Sequence, residues 1–136
     1  MGFDSIAEFY PLLFDEKARL VREGPFLMEF VQRYKPPIRI LDLACGSGVH
    51  SRFFAEQGCD VTAVDLSPEM LRYSINQKGQ RSIHYIVANF VNLPITGKWD
   101  LILCLGNSLC LIPHRTYVQN FFSQIKSLLA PNRTFI

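Results

Sequence analysis

The chain has 136 residues, 49% of them hydrophobic and 19% charged, which supplies enough apolar material for a sizeable core in one domain and excludes disorder. Its net charge of +2 comes from 14 basic and 12 acidic residues spread along the chain, without the basic stripe of a dedicated nucleic-acid binder, so a small, roughly neutral ligand is the expected partner. Cys45, Cys59, Cys104 and Cys110 form no CxxC pair and no zinc spacing; they read as reduced thiols that behave as small apolar residues, which suggests a cytoplasmic protein.

Met1 to Tyr10 has no basic stretch followed by an apolar core, so it is not a secretory signal, and Ile6 breaks the myristoylation pattern. Residues 5–34 carry apolar positions at helical spacing, such as Phe26, Leu27, Phe30 and Val31, broken by Pro11 and by the Gly24-Pro25 step. Two or three short helices are expected there, forming a cap segment over residues 1–35. Pro36-Pro37 ends the helical stretch, because proline lacks a donor and disfavours helix in the residue before it.

The core, residues 36–136, begins with a strand at Ile38 to Leu41, followed by a glycine turn and a helix from about Val49 to Gln57 with Gly58 as its C-terminal cap. Val61 to Asp65 reads as the second strand. Ser67-Pro68-Glu69 opens the next helix with a capping hydroxyl, a proline preset for the first turn and an acid at the positive end of the dipole. Residues 76–82 are a polar loop, Ile83 to Val87 a third strand, and Trp99-Asp100 lead into a fourth at Leu101 to Cys104. The stretch Leu101 to Ile112 is the most apolar window, but Gly106, Asn107 and Ser108 interrupt it and it falls short of the roughly 20 residues of a membrane helix, so no membrane partner is expected. Val118, Phe121, Phe122, Ile125, Leu128 and Leu129 form a core-facing helical stripe; Pro131-Asn132 then turns the chain, and Thr134 opens a fifth strand.

Aliphatic strands alternating with helices make a parallel sheet covered on both faces, with ligands bound at the carboxyl ends of the strands. Asp42 to Gly48 lies at such an end, and the absent side chains of Gly46 and Gly48 let a ligand approach the backbone. The dinucleotide fingerprint G-x-G-x-x-G fails here at its third glycine, where the chain has Ser51. Asp42, four residues before the first glycine, would repel a pyrophosphate and suit an ammonium or sulfonium. Asp65 follows Gly46 by 19 residues, a spacing from which a carboxylate accepts both hydrogens of a ribose diol, although a helix-capping acid is an alternative. Asp42, Gly46, Gly48 and Asp65 together describe a site for an adenosine attached to a cation.

DLACGSG followed by VDLSPEML resembles motif I and the second-strand acidic motif of the class I S-adenosylmethionine-dependent methyltransferases, over residues 20–136. The resemblance implies a Rossmann-like sheet of order 3-2-1-4-5-7-6 and S-adenosyl-L-methionine as cofactor, with its methionine end at Asp42 and the Ala44, Cys45 and Gly46 backbone, its ribose on Asp65, and its adenine between Leu66 and Met70. It also puts Asn89 and Phe90 at the adenine edge. Leu105-Gly106-Asn107-Ser108 looks like the loop between cofactor and acceptor in glycine and sarcosine N-methyltransferases, where an upstream arginine pairs with the methionine carboxylate; Arg22 is the nearest match, with Arg19 one turn away. Leu111 stands where that subgroup often has a histidine.

The implied reaction is in-line methyl transfer to a small-molecule acceptor, possibly an amine. Asn107, His114 and Tyr10 are the candidates for touching the acceptor, while His50 and His84 read as structural. The chain stops as the fifth strand begins, so the C-terminal strands of the full fold are missing; either it is a fragment or it covers an open sheet edge by self-association. Two other readings stay open, a non-catalytic cofactor-binding or partner-binding module and an NAD-dependent oxidoreductase, the latter disfavoured by Asp42 and Ser51.

Overall fold

A computed structural model describes residues 7, 9–77 and 82–136. Expectations that fall on residues 1–6, on Glu8 and on the 78–81 part of the polar loop lie outside the described residues. A short helix α1 (Tyr10–Leu13) leads into α2 (Glu16–Arg33), β1 (Arg39–Leu43), α3 (Val49–Glu56), β2 (Asp60–Asp65), α4 (Pro68–Ile75), β3 (Ile83–Val87), β4 (Trp99–Leu103), α5 (Arg115–Leu128) and β5 (Leu129–Phe135). All strand pairs are parallel and their order is β3-β2-β1-β4-β5, the order of the Rossmann-like α/β fold expected from the sequence.

Strand alternation divides the core between the two faces. Ile40, Val61, Leu101 and Leu103 pack with Leu27 and Phe30 of α2 and Phe54 of α3. Leu41, Leu43, Val64 and Ile102 pack on the other face with Phe121, Ile125 and Leu128 of α5. Asp42 alternates with Leu41 and Leu43 and so faces α3, which decides its partners below. None of the described helices is long and apolar enough to cross a membrane.

The N-terminal segment departs from the expected set of short helices. Asp15 caps α2 by accepting from the Ala18 amide at 2.9 Å, and the helix continues through Gly24-Pro25 to Arg33. Proline removes the hydrogen bond to the carbonyl four residues earlier, that of Val21, a residue on the exposed side of the helix at 72% exposure. Gly24 is buried against the Phe53 ring of α3, where a Cβ would come within 3.6 Å of a ring carbon. Packing between α2 and α3 thus carries the helix across a step that propensity alone would break.

At the other end of the chain, β5 starts directly at Leu129 instead of after a turn at Pro131-Asn132. Asn132 adopts φ +58°, and the pairing with β4 shifts register between Trp99 and Leu101, so the expected turn is an irregularity within the strand. Leu129 accordingly leaves the helical stripe, and Phe122 is 47% exposed. Gly58 closes α3 in the left-handed conformation, its amide bonding Ala55 O and that of Cys59 bonding Phe54 O, the Schellman pattern.

Candidate functional site

The turn from β1 into α3 carries three left-handed residues, Ala44 at φ +52°, Gly46 at +55° and Gly48 at +75°. Three of its amides are already committed: Cys45 N donates to Val64 O at 3.0 Å, Gly46 N to Asp65 Oδ2 at 2.7 Å and Gly48 N to Cys45 O at 2.9 Å. A phosphate cradle at these positions needs free N–H groups. Here the protein's own acceptors take them, and one of those acceptors is an acid.

The two glycines serve different ends. A Cβ on Gly46 would meet only Met70 Cε at 3.5 Å and the Tyr10 hydroxyl at 3.9 Å, so this backbone faces a space bounded by α4 below and the N-terminal segment above. A Cβ on Gly48 would stand 2.0 Å from Ser74 Oγ, and Ser74 is fully buried in α4 with its hydroxyl 2.9 Å from that of Tyr85. The backbone at Gly46 is therefore open to a Cβ, whereas Gly48 is required by helix packing.

Register places Asp65 two steps beyond Asp42 toward the carboxyl edge, since Asp42 pairs with Ala63 and Leu43 with Val64. Asp65 Oδ1 accepts from Ser67 N at 2.9 Å while Oδ2 holds Gly46, and each oxygen keeps a second lone pair. The acid thus tightens the start of α4, the contact expected of a helix-capping acid. Ser67 caps that helix by accepting from Met70 N at 3.2 Å.

Asp42 is 2% exposed and accepts from Ser51 Oγ at 2.6 Å. Burial raises its carboxyl above the ordinary range, an effect opposed by His50 and the Ser51 hydroxyl and reinforced by Asp65. Ser51, the residue that breaks the dinucleotide fingerprint, is the one that ties this acid to α3. Asp42 acts beneath the turn and not on the cleft surface.

Of the two upstream arginines, Arg19 is the one that reaches the loop after β4. Arg22 is 72% exposed and pairs with Glu23 at 3.3 Å, facing outward. Arg19 Nη2 lies 4.0 Å from where a Cβ on Gly106 would be, and its charge acts on the Tyr10 phenol. Burial raises the Tyr10 phenol above its ordinary range, with Arg19 opposing the rise. Glu23 holds Arg19 Nε at 3.1 Å and takes His50 Nε2 at 2.7 Å. Sequence reading missed this Glu23–His50 contact, whose partners are 27 residues apart with no motif linking them.

The other candidates are more scattered. Leu66 is 65% exposed, whereas Met70 is buried under Gly46, so they do not form a symmetrical pair. Asn89 is exposed, with Oδ1 accepting from Val91 N, and Phe90 packs edge-on against Phe121 at 5.6 Å. Cys45 is buried and Leu105 half-buried against the α2 side of the core. Asn107 is exposed beside Gly106, ahead of a single 3-10 turn at Ser108–Leu111. His114 is exposed at the start of α5, 5.8 Å from the Tyr117 ring. His84 lies exposed on β3. No cluster that could hold a metal occurs among the described residues.

A family model described as a methyltransferase domain matches residues 40–132. Glycine/sarcosine N-methyltransferase of Halorhodospira halochloris is 30% identical over 138 residues, covering 98% of this chain and 51% of that protein. Malonyl-[acyl-carrier protein] O-methyltransferase of Pseudescherichia vulneris is 36% identical over 89 residues, covering 65% of this chain and 35% of that protein. The crystal structure of a S-adenosylmethionine-dependent methyltransferase from Clostridium acetobutylicum matches with a TM-score of 0.79 at 27% identity, covering 98% of this chain and 55% of that one. The chain spans about half the length of the curated relatives it matches, or less. With the 3-2-1-4-5 sheet and the glycine turn tied to the acid at the end of β2, these matches make the chain a member of the class I S-adenosylmethionine-dependent methyltransferases.

Proposed function

We propose that the protein transfers a methyl group from S-adenosyl-L-methionine to a small-molecule acceptor that brings its own free lone pair, an amine in our reading. The observation that carries the cofactor part is the Asp65 carboxylate, which closes the glycine turn through Gly46 N and keeps a lone pair on each oxygen for a ribose diol. Gly46 leaves the backbone bare where the ligand would pass, and Met70 floors that spot. Arg19 takes the role first assigned to Arg22, a fork-shaped cation for the methionine carboxylate between Tyr10 and Gly106.

When bound, the cofactor supplies a methyl group made electrophilic by its sulfonium. The residues around the cleft have only to orient and to exclude water, and orientation can contribute roughly 7 to 11 kcal/mol to lowering the barrier. Of the cleft groups, the Tyr10 phenol is raised above its ordinary range by burial and Arg19 is a cation, so neither suits the role of base at neutral pH. That favours an amine that arrives unprotonated over a hydroxyl that must be deprotonated. A glycine/sarcosine N-methyltransferase that aligns with 98% of the chain supports the same choice. Asn107 borders the acceptor side, and the cytoplasm remains the expected location.

The test is isothermal titration of S-adenosylhomocysteine into the wild type and Asp65→Ala. Two hydrogen bonds to a charged acceptor, at about 1.5 to 3 kcal/mol each, predict a loss of affinity of about a hundredfold or more. Near-wild-type binding by the variant, or stabilisation of the wild type by NAD and not by S-adenosylhomocysteine, would overturn the reading.

A further inference from the structure

We infer that Glu23 and His50 form a positioning pair that presets Arg19 for the carboxylate of an amino-acid-bearing ligand; this rests on the cofactor reading above. The juxtaposition is specific. Glu23 Oε2 receives Arg19 Nε at 3.1 Å from one turn earlier on α2 and His50 Nε2 at 2.7 Å from α3, so a single oxygen joins two helices. His50 is 4% exposed, the one buried histidine of the three, and neither Asp42 nor Ser51 is its hydrogen-bond partner.

An i,i+4 pair on one helix leaves both long side chains free to swing. His50 removes that freedom, because it is fixed in the packed interior by α3 and pins the carboxylate from outside α2. The Glu23 carboxyl shows the balance: burial pushes it up, but the His50 hydrogen bond and the Arg19 charge outweigh burial and leave it below the ordinary range. With Nε committed, Nη2 at the other end of the guanidinium lies beside Gly106, and the Arg19 charge acts on the Tyr10 phenol, whose oxygen is 3.9 Å from where a Cβ on Gly46 would stand. A cation ordered before the ligand arrives loses less side-chain freedom on binding. The exposed Arg22, paired to the same carboxylate at 3.3 Å, contributes no such direction.

The test compares S-adenosylhomocysteine with 5′-methylthioadenosine, an adenosyl thioether that lacks the amino-acid group. Wild type should prefer the first. Glu23→Gln should weaken it by about tenfold, the size of one charge-assisted contact, and leave methylthioadenosine within about twofold. A purely structural role would weaken both ligands together. In an Arg19→Ala background, Glu23→Gln should add nothing further. If Glu23→Gln does not fold, His50→Ala carries the same comparison, and His50→Gln, which restores a donor, should recover the preference. Parallel loss of both ligands, unchanged preference in the variants, or additivity with Arg19→Ala overturns the positioning role while leaving the cofactor reading standing. Failure of the wild type to bind either compound overturns both.

Discussion

Replacing Gly48 with alanine separates two costs that are usually confounded. At φ +75° any side chain meets left-handed strain of roughly 1 to 2 kcal/mol. The new Cβ would also stand 2.0 Å from Ser74 Oγ and 3.0 Å from Ser74 Cβ, and Ser74 is fully buried with its hydroxyl held by Tyr85, so it has no open space to move into. Overpacking of this kind adds roughly 1 to 3 kcal/mol, for a total of roughly 2 to 5. Gly58 supplies the control, since it has φ +83° and nothing within 4 Å of its Cβ position. Gly58→Ala should cost only the strain, roughly 1 to 2 kcal/mol. The entropy that alanine removes from the unfolded chain is common to both variants and drops out of the difference. At roughly 4 °C per kcal/mol for a chain of this size, thermal melts should place Gly48→Ala several degrees below Gly58→Ala. Ser74→Ala should lessen the Gly48→Ala defect by about 1 kcal/mol as a coupling energy. Equal destabilisation by the two glycine variants would refute the packing account of Gly48.

Two further outcomes are expected. The Asp42 carboxyl is raised by burial, so the folded state disfavours its charged form; that cost is absent below the ordinary carboxylate range and complete above the raised value. Asp42→Asn, which keeps an acceptor for Ser51, should melt higher than wild type at pH 7, with the advantage shrinking as pH falls toward about 4; a variant less stable at pH 7 would contradict this. In thiol labelling at pH 8, the exposed Cys110 should react in the folded protein, whereas burial withholds Cys45, pushes Cys59 up to about 11 and Cys104 up to about 12. More than one fast-reacting thiol before unfolding would show that the sheet core opens more readily than its packing implies.

Much of the sheet was legible because its determinants are local. Aliphatic runs such as Leu101 to Leu103, the Ser67 cap and Gly58 beyond α3 each carry their own chemistry, and the structure uses all of them as expected. Of the candidate site, the pairing of Asp65 with Gly46 was legible as a fixed spacing, and the structure closes it with a 2.7 Å hydrogen bond. What escaped depends on contacts between distant segments. Pro25 reads as a breaker until the Gly24–Phe53 contact is known. Arg19 and Arg22 are indistinguishable by count, and only the direction of α2 against α3 puts one at Gly106 and the other in solvent. The purpose of Gly48 was hidden for the same reason, since Ser74 lies 26 residues away on another helix.

The two amides held by Asp65 bear on rates as well as affinity. A carboxylate whose two oxygens are clamped by Gly46 and Ser67 cannot rotate away, so the ordering of this acid is completed during folding and does not wait for a ligand. Ligand capture should then be paced by diffusion past the segment that carries Tyr10, and altering that segment should change association while escape from the acid stays constant.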